Sequence, residues 1–445
     1  MSLDKDASRG GRTKNRQQLK KLLRVAFWFV FCVPIALAIA VAACVSRFRK
    51  HRVNPKVMFG VDPLISNKYW KRCLDNAESW VVDVYAINQI TDFDFVMSRR
   101  MTMLPHDIRR VVSFILMELR FDVVVLSFNG AFLGVTPLAV FEPLFLRLAR
   151  VKTIVFPYGG DSYVYRRTAT PDLRHALLLS YPEMARQQAQ VARRVERWER
   201  NADIVVTGVM SPDGFGRWDC IIPQVVFIDE DLWSESSRTN RSDGSADPVV
   251  IAHTPNHRGF KGTEFVVDAV QQLRDEGLNV ELRLLEGMRN EGVRKTLEDE
   301  VDILVEQLIF TGNGLSGFEG MATGLPVVCN LEDDSFQRLM RRYTYFAECP
   351  LVSGSPESII DVLRRLVKDP ELRRKLGAAG RQYVRKYHGI VAGSYFLDRL
   401  VAKVWKGEDV NLMTLYHPIL GEFSKRSPRV THPLVKNKLP AIAVH

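Results

Sequence analysis

The segment Gly317–Val328, GFEGMATGLPVV, is where residue type and spacing best suit chemistry. A glycine-bearing loop leads into a helical turn or two holding Glu319, Met321 and Ala322. Gly324 then ends the helix and Pro326 leads into an apolar strand. A loop that feeds a helix N-terminus presents backbone N–H groups without intrahelical partners, and these suit an anionic ligand. A carboxylate near that terminus, Glu319, accepts hydrogen bonds from the vicinal hydroxyls of a ribose or sugar more strongly than a neutral side chain does. On spacing alone the simpler reading leads, in which Glu319 is a surface acid complementing the helix dipole.

Elements that could position such a segment are visible along the chain. Short apolar runs alternate with helical patterns: Lys56–Phe59, Asp122–Leu126, Thr153–Phe156 and Ile204–Thr207, then Val249–Ile251, Glu281–Leu285, Asp302–Val305 and Pro326–Cys329. These runs are continuously apolar rather than alternating, as in parallel strands covered on both faces. Helical spacing appears over 106–119, 181–200 and 262–275. Ser355-Pro356-Glu357 reads as a helix start, and Asp369-Pro370-Glu371 as the stop of that helix and the cap of the next. The polar, turn-rich stretch Ser234–Pro248 reads as a linker. The expected fold class is α/β. Two Rossmann-like doubly wound domains, 53–233 and 249–406, face a cleft, followed by a tail at 407–445.

The net charge of +11 belongs to one end of the chain. Residues 1–56 hold 13 Lys or Arg and two acids, and the remainder is balanced at 49 basic and 49 acidic side chains. A neutral body argues against nucleic acid as a partner. Within the basic end, after a tail at 1–24, residues 25–45 (VAFWFVFCVPIALAIAVAACV) carry no charge and as a helix would be roughly 30 Å long, the thickness of a bilayer's hydrocarbon core. They read as a transmembrane helix. A lipidated cysteine at Cys44 is a minor alternative. Flanking Lys and Arg are too evenly split to orient it. Cys73, Cys220, Cys329 and Cys349 are scattered, as reduced core cysteines are.

Glu-Gly-Met-Ala-Thr-Gly-Leu-Pro-Val-Val, residues 319–328, resembles the C-terminal-domain signature of the GT-B-fold nucleotide-sugar glycosyltransferases, the retaining group typified by sucrose and glycogen synthases. Asp302–Leu308 with Gly312, Gly314 and Gly317 resembles the strand and nucleotide loop before that helix. His253–Thr263 (HTPNHRGFKGT) resembles the basic loop that opens the second domain, and Phe156–Asp161 (FPYGGD) the acceptor-side loop. The resemblance spans roughly residues 56–405 and is most specific at 317–328.

The resemblance implies roles residue by residue. Lys261, helped by Arg258, neutralises the leaving nucleoside diphosphate in place of a metal ion. Glu319 holds the ribose, and Gly314, Ser316 and Gly317 bring backbone close to the donor. Asp161 orients or deprotonates the acceptor hydroxyl, and Gly60 and Gly160 lie on the acceptor or phosphate side. The chain departs from the pattern where Thr311 stands in place of a first glutamate, Asn256 in place of an arginine, and Tyr158 near the usual histidine. The implied protein is a membrane-anchored glycosyltransferase, retaining and metal-independent, needing no cofactor. Its partners are a nucleotide-sugar donor, a glycan or lipid-linked acceptor, and the bilayer. Nucleotide sugars being mostly cytosolic, a cytoplasmic body is expected, with a Golgi-lumen arrangement as the rival. Two competitors share the fold: a nucleotide-sugar epimerase and a non-catalytic scaffold.

Overall fold

The computed structural model describes residues 3–49, 51–82, 93–97, 101, 103–168, 170–207, 214, 216–238 and 242–440, with residues 3–17 described by backbone alone. It opens with helix α1 (Leu3–Arg47), which starts well before the uncharged run. Gln18–Arg47 is long and apolar enough to cross a membrane, by length and composition.

Runs such as Val123–Leu126 and Val249–Ala252 are apolar at every position, so each is buried on both faces of a parallel sheet. The first sheet contains β1 (Val57–Val61), β2 (Ala77–Val81), β3 (Phe95–Val96), β4 (Val123–Leu126), β5 (Lys152–Val155) and β6 (Ile204–Val205), in the order β3-β2-β1-β4-β5-β6. Around it lie α2 (Ile65–Arg72), α3 (His106–Arg120), α4 (Glu142–Leu148) and α5 (Gln188–Asn201). The second sheet contains β7 (Val249–His253), β8 (Val280–Leu284), β9 (Ile303–Thr311), β10 (Val327–Asn330) and β11 (Val352–Ser353), in the order β11-β10-β9-β7-β8. Its helices include α6 (Arg258–Lys261), α7 (Thr263–Asp275), α8 (Asn290–Asp299), α9 (Leu315–Ala322), α10 (Ile359–Lys368) and α11 (Pro370–Tyr387), and α12 (Ile390–Val401) follows. Strand order reverses between β1 and β4 and between β7 and β9, which opens a crevice at the carboxyl end of each sheet.

All eight expected strands are present, and β9 runs on to Thr311. Strands β2, β3 and β11 escaped the sequence pattern because β2 (AESWV) is interrupted by Glu78 and Ser79 and the other two are two residues long. The helix expected over 181–200 is broken at Gln187, and the Gln188 side chain binds Tyr165 N and Tyr163 O instead. Helix α10 begins at Ile359, because Ser355 and Ser358 form a turn ahead of it. Asp369 caps α11 as expected, accepting from Leu372 N at 2.9 Å.

The stretch 234–248 forms no strand or helix among its described residues. Helix α12, which lies within the stretch expected as the second domain, crosses back to the first domain. A Cβ at its Gly393 would lie 2.5 Å from Cys73 Sγ, and Phe396 sits with its ring 6.0 Å from that of Phe156. The tail packs on the second domain through Asn437, whose amide donates to Cys349 O at 2.8 Å and Leu351 O at 2.7 Å.

Helix α11 leans on the turn that ends α9. A Cβ at Gly377 would lie 1.9 Å from the carbonyl oxygen of Gly324, which itself holds φ at 78°. Backbone cannot swing aside, so Gly377→Ala is expected to cost roughly 1–3 kcal/mol. Gly380→Ala, where the nearest atoms belong to the Met321 side chain at 3.2 Å, is expected to cost less. Urea unfolding of both variants measures the difference.

Candidate functional site

The crevices of the two sheets face one another across a cleft of about 1860 Å³ lined by both domains. The second-domain wall starts from β7, whose last residue, His253, is fully buried. Its Nδ1 lies 2.7 Å from Val305 O and its Nε2 3.0 Å from Thr263 Oγ1. Burial lowers its pKa to about 4, so the ring is neutral: Nδ1–H donates to the carbonyl and Nε2 accepts from the threonine. The ring thereby ties β7 to β9 and to the start of α7.

The loop after His253 enters the single turn α6, which Gly262 closes in the left-handed region at φ 73°. A Cβ there would press on Leu308 Cβ at 3.0 Å, so the glycine lets α6 sit down on β9. That seats the Lys261 ammonium on the carboxylate of Glu306 and 2.9 Å from Gln307 Oε1. Lys261 is 5% exposed and Glu306 is fully buried. Ser316, in the first turn of α9, donates its hydroxyl to the same Glu306 oxygen at 3.1 Å. The other oxygen, Oε2, is buried and makes no hydrogen bond. Gly314, just before α9, would place a Cβ 3.1 Å from Glu306 Oε1 and 3.7 Å from Lys261 Nζ, so its missing side chain admits the helix end to this ion pair.

Glu319 follows one turn later and lines the cleft while being only 3% exposed. Its Oε1 accepts from Asn290 Nδ2 at 3.0 Å, at the start of α8. Burial pushes its pKa up to about 7, against a smaller opposing effect of that hydrogen bond. Lys261, Glu319, Gly314, Ser316 and Asn256 all border the same opening.

Other expected residues do not. Arg258 points outward into ion pairs with Glu264 at 2.8 Å and Glu286 at 2.9 Å and does not line the cleft. Thr311 closes β9 opposite Asn330, and Gly317 packs on Asn313, where a Cβ would lie 2.8 Å from Nδ2. Neither reaches the opening. In the first domain Asp161 is turned into its own loop, accepting from Phe128 N at 2.9 Å, Tyr158 N at 3.0 Å and Gly159 N at 2.9 Å. With its oxygens occupied and its side chain 1% exposed, it braces the loop and is not placed to meet an acceptor. Gly60 faces β2, and a Cβ there would lie 2.0 Å from Trp80 O. The glycine serves the approach of β2 and does not line the cleft. Gly160 does line it.

Beside Gly160, the first-domain wall is carried by Tyr158, named above only as a departure from the family pattern, and by Asn129 and Arg194, which the sequence did not single out. Tyr158 presents its hydroxyl there, accepting from Asn129 Nδ2 at 2.9 Å, and the same amide lies 3.1 Å from Asp62. Burial raises the Tyr158 pKa above its ordinary value, so the phenol keeps its proton. Arg194 lines the cleft and donates to Asp161 O at 2.9 Å. Of the missed residues only Glu306 and Gln307 left a signal, two polar residues in succession within the otherwise apolar ILVEQLIFT of a strand covered on both faces. Asp62, Asn129, Arg194 and Asn290 belong to no pattern that sets them apart in the sequence.

No family model matches the chain, and no curated protein matches it in sequence. Among solved structures, it is similar to Anabaena Alr3699/HepE in complex with UDP and glucose, at 13% identity and a TM-score of 0.49, over 78% of this chain and 100% of that one. It is similar to WaaG, a glycosyltransferase involved in lipopolysaccharide biosynthesis, at 14% identity and a TM-score of 0.42, over 79% and 100%. A protein assigned as a UDP-N-acetylglucosamine 2-epimerase from Listeria monocytogenes is similar at 12% identity and a TM-score of 0.42, over 80% and 98%.

Proposed function

We propose that this chain is a glycosyltransferase that binds a nucleotide-activated sugar on its second domain and a glycan or lipid-linked acceptor on its first. In this reading it transfers the sugar with retention and without a metal ion, at a membrane to which α1 attaches it. One observation carries the reading: Lys261, beside the N-terminus of α9, and Glu319, one turn into that helix, open on one interdomain cleft. The sequence resemblance at 317–328 supports it. An ammonium has three N–H donors. Glu306 and Gln307 take two, which leaves one for a phosphate oxygen. The first N–H groups of α9 lack intrahelical partners and add donors beside it. Together they stabilise charge that builds on the leaving diphosphate as the glycosidic bond breaks. Glu319, ionised, accepts from a ribose diol. Across the cleft the protonated Tyr158, with Arg194 and the Gly160 backbone, forms the acceptor wall.

Removing Lys261 alone leaves Glu306 charged and buried, so Lys261→Met is expected to lose about 3–5 kcal/mol of stability. Lys261→Met combined with Glu306→Gln removes both charges and is expected to fold. Its affinity for UDP, ADP or GDP, whichever stabilises the parent protein most in a thermal-shift screen, is expected to fall roughly 10–100-fold by calorimetry. Unchanged affinity in the folded double variant rejects the site. Parent protein that binds none of these nucleotides supports the scaffold alternative. Product formation from the preferred nucleotide sugar without any acceptor, as an epimer, supports the epimerase.

Glu319 gives a pH signature. Its folded pKa of about 7 lies above the ordinary 4.5, so the native state holds the proton more tightly than the unfolded chain does, and stability declines as pH rises from 4.5 to about 7. Glu319→Gln removes this loss and keeps an acceptor for Asn290. It is expected to stabilise the free protein by roughly 1–3 kcal/mol at pH 8 and by little near pH 4.5. Nucleotide affinity of the parent is expected to rise as pH passes through about 7, whereas the variant binds roughly tenfold more weakly with a flat profile. Unfolding and binding measured across that pH range test both halves.

A further inference from the structure

The uncharged stretch of α1 does not project from the first domain but lies along it. At one end Arg24 pairs with Asp107 at 2.7 Å, and the Trp28 indole donates to the same carboxylate at 2.7 Å. At the other end Ser46 donates to Glu118 O at 2.6 Å, and Arg49 donates to Phe121 O at 2.8 Å. Asp107 and Glu118 lie at opposite ends of α3, so the two helices run side by side and in the same direction. Trp28, Ile39, Ala43 and Ser46 face the domain and are buried. The opposite face carries Phe29, Val33, Leu37, Val41 and Val45, all exposed, with Phe29 at 90%. Beside α1, Leu116 and Leu119 of α3 and Phe141 and Leu144 at α4 are exposed as well.

A helix that crosses a bilayer leaves its water-soluble domain on one side. Here the apolar stretch is fastened at both ends to a single domain, and a perpendicular crossing would draw α3, with Arg109, Arg110 and Arg120, through the hydrocarbon. Lying flat avoids that cost. The outer face of α1 then enters one leaflet together with the exposed leucines of α3 and α4. Both basic ends, Lys20 and Lys21 at one and Arg47 at the other, reach phosphates of the same surface.

We infer that α1 lies in the plane of one leaflet of a phospholipid bilayer and, with the exposed apolar side chains of α3 and α4, forms a lipid-facing wall of the first domain. This rests on the membrane attachment proposed above and goes beyond it by replacing a crossing with a one-sided embedding. The helix and the acceptor wall belong to the same domain, so that domain would work at a fixed attitude to the membrane surface.

The test uses the full chain reconstituted in vesicles of phosphatidylcholine and phosphatidylglycerol. Cys32 and Cys44 are replaced by serine, which leaves only the four buried cysteines, and Gln18→Cys or Arg47→Cys is added singly. A membrane-impermeant maleimide applied outside is expected to label both positions to the extent that external protease digests the body. Labelling of one position with the body and the other in the complementary fraction shows a crossing and overturns the inference while keeping the membrane. A second variant, Leu116→Glu with Leu144→Glu, alters exposed side chains outside α1, and circular dichroism checks that it folds. Added to preformed vesicles, it is expected to bind at least about tenfold more weakly in flotation, since two apolar contacts are lost. Undiminished binding also overturns the inference. Failure of the parent to associate with any vesicle rejects membrane attachment itself.

Discussion

The ion pair between Lys261 and Glu306 is the constraint on which the geometry of the cleft depends. Taking two charges out of water costs several kcal/mol per ion, and their attraction offsets this only when further hydrogen bonds complete the set. Here Gln307 and Ser316 supply them. The consequence is positional, because the pair joins the turn α6 to the middle of β9, 45 positions on, and through Ser316 to the first turn of α9. Small residues at Gly262 and Gly314 allow that approach. A cleft wall built this way holds its cation and its helix terminus in one fixed relation before any ligand arrives, as electrostatic stabilisation of a developing charge requires.

Buried carboxylates elsewhere show why burial alone does not mark a site. Asp161 and Glu319 are each raised to about 7 by desolvation. Asp161 spends its oxygens on three backbone N–H groups and orders a loop. Glu319 receives one amide and faces the opening. Similar burial thus serves two different arrangements, and the hydrogen-bond partners separate them.

The two domains are joined by more than the linker. Gln224 donates to Asn313 O at 2.7 Å, so the end of the first domain touches the loop that leads into α9. His388, held neutral by burial, places Nδ1 2.7 Å from Val226 O and packs against Phe318 of α9 with ring centroids 4.0 Å apart. Helix α12 then continues onto the first domain. Motion between the domains must pass through this crossover, whose neighbours are the residues that set the position of α9.

By itself the sequence determined the periodicities and the punctuation. Continuous apolar runs require strands covered on both faces, which is why eight strands and a two-sheet α/β architecture were legible. The Glu319–Val328 segment was legible because turn glycines and a proline act locally. The uncharged run of α1 was equally plain, since length and lack of charge are local properties. Only the tertiary structure decided which polar residues share the cleft. Lys261 and Glu306 are 45 positions apart, Asn290 and Glu319 are 29 apart, and Arg258 is turned away by two acids that no short-range pattern connects to it. It also decided that α1 lies along α3, because the contacts of Arg24, Trp28 and Ser46 form only when the first domain folds. Local chemistry sets what each segment can become, and long-range packing sets which side chains meet.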